Sequence, residues 1–187
     1  MAPTVAQSCK ILVAGAFGVG KTTLVGSVSE IPPLRTEETM TAAGIPVDSL
    51  PAGARGKTTT TVAMDFGRLT VDPTVVLYLF GTPGQRRFWD LWDGLAAGAI
   101  GALILVDTRN LEASFEVFDQ FETRAASMPL AVAVNAFDGA PHIAPERLRE
   151  VLDMQPETPI TTCDARDRHS SAQALITLVN HARKALA

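Results

Sequence analysis

The sequence lacks the features that identify secreted, membrane-spanning and nucleic-acid-coating proteins. Its 187 residues include 2 cysteines, too few for a disulfide framework and typical of a reducing compartment. The longest uncharged apolar run, 94–106, is too short to span a bilayer. A net charge of −4 provides no basic surplus for binding nucleic acid or an anionic membrane through charge alone. We expect no signal peptide at the start and no lipid-anchor motif at the end, and therefore a cytoplasmic protein without direct membrane insertion.

The composition is that of a folded domain in which strands alternate with helices. Apolar residues make up 47% and charged residues 19%, which excludes wholesale disorder. The alternation is typical of a mainly parallel sheet covered on both faces. Two predicted strands, 61–69 and 74–80, are close enough to form an antiparallel hairpin. We predict an α/β fold with a mixed, mostly parallel six-stranded sheet flanked by helices. One domain covers 1–187, with a long loop at about 31–60.

A glycine-rich segment follows the first predicted strand and opens the first predicted helix. Residues 15–22 satisfy G-x-x-x-x-G-K-[ST] in the strand–loop–helix order that this motif requires. Backbone N–H groups of such a loop surround phosphate oxygens at the positive end of the helix. Lys21 would reach the β- and γ-phosphates, and the Thr22 hydroxyl would bind Mg²⁺. The alternative is a purely structural glycine-rich turn. The predicted phosphate-binding residues are Gly15, Phe17, Gly18, Val19, Gly20, Lys21, Thr22 and Thr23.

A second motif follows the predicted strand 130–134. Asn135-Ala136-Phe137-Asp138 resembles the N-K-x-D sequence of small GTPases. In that family the Asp accepts hydrogen bonds from guanine N1 and N2, so Asp138 would favour guanine over adenine. Asn135 would tie this loop to the phosphate loop. Ala136 replaces the Lys whose stem packs over the base, which weakens the expectation of tight binding. An ordinary strand-end Asn and turn Asp are the alternative.

A third segment completes the resemblance to a guanine-nucleotide site. Asp164-Ala165-Arg166 resembles the short S-A-K-type loop that contacts guanine O6 through a backbone N–H. With the two motifs above, it makes nearly the whole chain resemble a Ras-like small GTPase. The resemblance implies a P-loop NTPase fold of the small G-domain type, which binds GTP or GDP with Mg²⁺.

The segment that ends the long loop resembles switch I of Rab-type GTPases. Residues 61–66 match T-I-G-V-D-F in its Thr, Asp and Phe positions. Thr61 is therefore the candidate whose hydroxyl senses the γ-phosphate through Mg²⁺, with Thr60 as a substitute. A polar strand start is the alternative.

Residues 81–88 align with D-T-A-G-Q-E-R-F, the family's switch II. Gly84 would contact the γ-phosphate by its backbone N–H, and Gln85 would orient the attacking water. Gly81 stands where the family has the Mg²⁺-linked Asp. One carboxylate is therefore missing at this position, and we expect Mg²⁺ to be held less firmly.

Two arginines follow the candidate catalytic glutamine. Arg86 or Arg87 could act as an internal arginine finger that stabilises charge on the transferring phosphoryl group. Solvent-exposed charge is the alternative for both. Aromatic residues in the range 88–92 are either core or a partner surface.

The narrower resemblances are bacterial. Gliding-polarity (MglA-like) GTPases also lack the Asp that Gly81 replaces. Four segments, 56–68, 81–85, 134–139 and 163–166, together resemble the conservon (CvnD-type) ATP/GTP-binding proteins. That resemblance implies a roadblock/LC7-domain partner and a sensor-kinase-like complex, with recruitment to the inner face of the membrane through these partners.

The expected function is a molecular switch that binds GDP or GTP with Mg²⁺ and hydrolyses GTP slowly without a partner. One alternative is a nucleotide-binding scaffold that has lost hydrolysis. Another is an ATP-using P-loop kinase or ATPase, for which Gly81 is a poor substitute for the required Asp.

Overall fold

The computed structural model of the protein describes residues 7–32, 34–40, 60–84 and 92–185. This part of the chain forms seven strands: β1 (Gln7–Gly15), β2 (Leu34–Met40), β3 (Thr60–Asp72), β4 (Val75–Gly81), β5 (Ala99–Val106), β6 (Leu130–Asn135) and β7 (Ile160–Cys163). It also forms five helices: α1 (Lys21–Val28), α2 (Trp92–Ala96), α3 (Glu112–Ala125), α4 (Pro145–Val151) and α5 (Arg168–Ala185). None of the helices in these ranges combines the length and apolar character needed to cross a membrane.

The strands form one sheet in the order β2-β3-β4-β1-β5-β6-β7. β2, β3 and β4 are antiparallel neighbours, whereas β4, β1, β5, β6 and β7 run parallel. Side chains of a strand alternate between the faces of the sheet, so the apolar run of β1 serves two cores. Ile11 and Val13 pack on the side of α1 and α5, and Leu12 and Ala14 pack on the side of α3 and α4.

The predicted fold class is confirmed: the chain is α/β with a mixed, mostly parallel sheet flanked by helices. The predicted antiparallel hairpin is present as β3 and β4. The sheet also includes β2, a seventh strand at its edge, which lies inside the range 31–60 predicted as a loop. Residues 34–40 are therefore a strand and not a loop. Their sequence, LRTEETM, has no apolar alternation, and an edge strand tolerates such polar residues because it packs against one neighbour only.

The carboxyl ends of the parallel strands meet at one edge of the sheet. This edge carries the segments that the motifs identified, because each of them directly follows a parallel strand: 15–22 after β1, 81–84 at the end of β4, 135–138 at the end of β6 and 164–166 after β7. Ligands of open α/β sheets bind at this edge.

Candidate functional site

The loop from β1 into α1 makes two close approaches to neighbouring strands. Gly15 and Gly20 have φ angles of 142° and 106°, which residues with a side chain rarely adopt. A Cβ at Gly15 would lie 2.6 Å from the carbonyl oxygen of Leu105 in β5. A Cβ at Gly20 would lie 2.7 Å from Nδ2 of Asn135 in β6. Glycine is therefore required at both positions, and the loop is seated directly on the ends of β5 and β6.

Lys21 folds back across this loop from the first turn of α1. Its Nζ donates to the carbonyl oxygens of Gly15, at 2.7 Å, and Ala16, at 2.8 Å. Burial lowers the pKa of Lys21 to about 8, while the nearby Asp65 carboxylate acts in the opposite direction. An anion at the loop would favour the charged ammonium, so the position of Lys21 suits the binding of phosphate.

Thr22, the next residue of α1, contacts a carboxylate from β3. Its Oγ1 donates a hydrogen bond to Oδ2 of Asp65 at 2.5 Å. Asp65 is 8% exposed and is paired across the hairpin with Gly81 of β4. A Cβ at Gly81 would lie 3.1 Å from Cβ of Asp65 and 3.3 Å from its Oδ2. Asp65 was assigned no role from the sequence, yet its carboxylate lies beside the position where Gly81 lacks one.

The site contains two kinds of oxygen ligand that suit Mg²⁺, the hydroxyl of Thr22 and the carboxylate of Asp65. This cation is held in phosphate sites by one or two protein groups together with the phosphates and water. Across the described ranges, no group of three or more His, Cys, Asp or Glu could hold a metal by itself. The donor set therefore fits a metal shared between the protein and a bound phosphate. The predicted metal ligand Thr61 lies near the start of β3, and its side chain is outside the described part.

Gly84 lies against the phosphate loop. A Cβ there would be 2.8 Å from Nζ of Lys21 and 2.9 Å from the backbone nitrogen of Phe17. The N–H of Thr82 donates to the carbonyl oxygen of Val13 at 2.9 Å, which extends the pairing of β4 with β1 and carries the chain to this place. The predicted catalytic residues that follow, Gln85, Arg86 and Arg87, lie outside the described residues.

Asn135 joins the phosphate loop to the loop after β7. It is 4% exposed; its Nδ2 donates to the carbonyl oxygen of Val19 and its Oδ1 accepts from the N–H of Ala165, both at 2.9 Å. The predicted tie between Asn135 and the phosphate loop is therefore present. The same N–H of Ala165 was the expected donor to guanine O6, so a bound O6 would have to share or displace this bond.

Two charged side chains at the candidate base-binding end of the site, Asp138 and Arg166, are exposed. Asp138 is 95% exposed, and its Oδ1 lies 3.8 Å from Nη2 of Arg166. Arg166 forms two shorter bonds with Asp164, from Nε to Oδ1 and from Nη2 to Oδ2, both at 2.9 Å. These bonds lower the pKa of Asp164 and raise the pKa of Arg166. The Asp138 carboxylate is thus open to a ligand, whereas Asp164 and Arg166 are engaged with each other.

Arg109, which the sequence analysis missed, stacks on the loop that carries Asp138. Its guanidinium carbon lies 3.7 Å from the centre of the Phe137 ring. Asp107 holds this side chain through a bond from Nη2 at 2.8 Å, and its Oδ1 accepts the backbone N–H of Arg109. Asp107 therefore orients the turn that follows β5. No spacing rule joins Arg109 to Phe137, because they meet only when β5 and β6 are neighbours.

Comparisons with known proteins bear on the family and the fold of this chain. A family model described as "Conserved hypothetical ATP binding protein" matches residues 13–185. No curated protein matches the sequence significantly. The G domain of the FeoB iron transporter of T. maritima superposes with a TM-score of 0.62 at 17% identity, over 97% of this chain and 100% of that chain.

The cytosolic domain of the same transporter was solved in GDP and apo forms. One GDP form superposes with a TM-score of 0.65 at 18% identity, over 95% of this chain and 65% of that chain. The apo form has a TM-score of 0.63 at 17% identity with the same coverage. At such identities the likeness shows the fold alone, and this fold is that of a G-domain P-loop NTPase.

Proposed function

The chain belongs to the family of conserved hypothetical ATP-binding proteins, and from the site within its G-domain fold we propose that it is a guanine-nucleotide-binding switch. The observation that carries the proposal is the pair of hydrogen bonds made by Asn135. They join the phosphate loop at Val19 to the loop at Ala165, which brings the candidate base-binding residues and the phosphate loop into one site.

The phosphates would bind to the backbone N–H groups of the loop and to the residues that begin α1. This group is Gly15, Phe17, Gly18, Val19, Gly20, Lys21, Thr22 and Thr23. Lys21 would exchange its bonds with the carbonyl oxygens of Gly15 and Ala16 for bonds with the β- and γ-phosphates. Bound Mg²⁺ would neutralise phosphate charge, and Thr22 would be one of its ligands.

The exposed carboxylate of Asp138 supports guanine as the base. Guanine offers N1–H and N2–H donors on one edge, whereas adenine has no such donor pair. The family is described as ATP-binding, and the relative affinities for GDP and ADP distinguish the two bases. Asp164, Ala165 and Arg166 would border the base on its other side.

Hydrolysis would depend on switch residues. Gln85 would orient the attacking water, Gly84 and Thr61 would respond to the γ-phosphate, and Arg86 or Arg87 would act as a finger. We expect single-turnover hydrolysis by the isolated protein to be far slower than about 1 s⁻¹, the range of partner-stimulated enzymes. A roadblock/LC7-type partner within a sensor-kinase-associated complex would then regulate it, in the cytoplasm or at the inner face of the membrane.

A nucleotide-binding scaffold without hydrolysis is the second candidate. Gly81 favours the scaffold, because small GTPases carry a Mg²⁺-linked carboxylate at this position and glycine has no side chain. A Gln85→Leu variant separates the two: it slows GTP turnover in a GTPase switch and leaves it unaltered in a scaffold.

The Asp138→Asn variant tests whether Asp138 recognises guanine. The amide keeps one acceptor oxygen but replaces the other with an NH₂ donor and removes the negative charge, so one guanine donor loses its acceptor and we expect GDP affinity to fall about 100-fold. Affinity for xanthosine diphosphate should rise, since its C2 carbonyl accepts from the new amide. Asp153→Asn is the matched control, because this residue has a φ of 47° that Asn tolerates well. Unchanged GDP affinity in Asp138→Asn would contradict guanine recognition by this residue.

A further inference from the structure

We propose that Asp65 of β3 is the carboxylate that anchors the divalent cation of this site, in place of a carboxylate at position 81. The inference rests on the proposed function, since it concerns the metal that accompanies the nucleotide phosphates. It revises the expectation that the site lacks one carboxylate, because the group is supplied by the neighbouring strand.

The hairpin places Asp65 beside position 81 by its register. Asp65 and Gly81 are direct partners in the antiparallel pairing of β3 with β4. A side chain at 81 would crowd the carboxylate, since its Cβ would lie 3.3 Å from Oδ2. The space between positions 65 and 81 therefore holds one carboxylate, and because residue 81 is glycine this carboxylate is that of Asp65.

The contact with Thr22 has the chemistry that a metal-bound hydroxyl needs. A Thr hydroxyl has one proton to donate and lone pairs left to bind a cation. With its proton directed to Oδ2 of Asp65, Oγ1 of Thr22 keeps its lone pairs for Mg²⁺. A carboxylate that holds a metal ligand in this way fixes the ligand's orientation and increases its basicity.

The charges around Asp65 support the same role. The negative charge of the Asp65 carboxylate attracts the ammonium group of Lys21. A largely buried carboxylate is costly unless a cation or donors compensate it. Thr22 and Lys21 provide part of this compensation, and a divalent cation bound beside Thr22 would add to it.

The experiment measures how Mg²⁺ slows the release of a fluorescent GDP analogue. Asp65→Asn keeps the shape of the side chain and removes its charge. We expect the Mg²⁺ concentration for half-maximal slowing to rise about 10- to 100-fold, the usual effect of losing a group that orients a metal ligand. Release in EDTA should be unchanged, because the nucleotide itself loses no contact. Asp72→Asn, the same change at the other end of β3, is the control and should behave like the wild type.

A relocated carboxylate provides the decisive second variant. Asp65→Gly with Gly81→Asp exchanges the two residues, which moves the carboxylate to the neighbouring strand without the close Cβ contact, and should restore most of the Mg²⁺ response. If Asp65→Asn does not fold, Gly81→Ala replaces it. The added methyl group crowds Oδ2, and we expect a several-fold weaker Mg²⁺ response.

The outcomes separate this inference from the proposed function. A wild-type protein that fails to bind the GDP analogue overturns the proposed function and this inference together. A wild type that binds it with a clear Mg²⁺ response, and an Asp65→Asn variant with the same response, overturns the role of Asp65 alone.

Discussion

The phosphate side and the base side of the candidate site are built in different ways. On the phosphate side, each contact has at least one buried partner and joins segments far apart in the sequence, as Thr22 with the buried Asp65 and Asn135 with Val19. On the base side, the main contact is exposed and local, between Asp164 and Arg166. Asp138, the candidate reader of the base, is almost fully exposed.

The difference indicates where rigidity and selectivity come from. Buried hydrogen bonds are costly to break, so they hold the phosphate loop in shape before a ligand arrives. Exposed ion pairs contribute little to folding, so the charges around Asp138 are free to serve recognition. The account therefore predicts large stability effects on the phosphate side and small ones on the base side.

Asn135→Ala should have the largest effect on stability. It leaves the buried carbonyl of Val19 and the buried N–H of Ala165 without their partner, and we expect the free energy of unfolding to fall by about 2–4 kcal/mol. Urea unfolding measures this change. Asn180→Ala, at an exposed position of α5, is the matched control and should leave stability nearly unchanged. Equal midpoints for the two variants would show that Asn135 is not a structural tie.

Gly20→Ala should have the second-largest effect on stability, and Gly18→Ala is its control. Both glycines have positive φ angles, 106° and 78°, so both variants bear backbone strain of about 1–3 kcal/mol. Only the new Cβ at position 20 meets a neighbour, Nδ2 of Asn135 at 2.7 Å, whereas nothing lies within 4 Å at position 18. Thermal unfolding should show the larger loss for Gly20→Ala. A loss no greater than that of Gly18→Ala would contradict the close seating of the loop on Asn135.

Arg166→Gln should have the smallest effect. The pair with Asp164 is exposed to solvent, so its loss should leave the unfolding midpoint within error of the wild type. Salt titration of the wild-type midpoint checks the same point, because a pair of this kind is screened by salt. A clear destabilisation would mean that the base side is held as firmly as the phosphate side.

Much of the fold and of the phosphate side could be predicted from the sequence. The glycine spacing of 15–22 between a strand and a helix identified the loop, and the close turn between 69 and 74 identified the hairpin of β3 and β4. Both depend on local patterns, which a sequence displays directly. The edge strand β2 was not predicted, because its polar residues show none of the alternation that is typical of a strand.

Asp65 and Arg109 could not be assigned from local patterns. Asp65 meets Thr22 only because the register of β3 and β4 sets it opposite Gly81, and a one-residue slip would turn it to the other face of the sheet. Arg109 meets Phe137 only because β5 and β6 are adjacent. Contacts of this kind follow from strand order and register, which the sequence does not show.

The most direct test of the central claim is a calorimetric titration of the nucleotide-free protein with GDP and, separately, with ADP, both in the presence of Mg²⁺. We predict that GDP binds at least about 100-fold more tightly than ADP, since Asp138 accepts from guanine donors that adenine lacks. Equal affinities, or tighter binding of ADP, would contradict the account of this protein as a guanine-nucleotide switch.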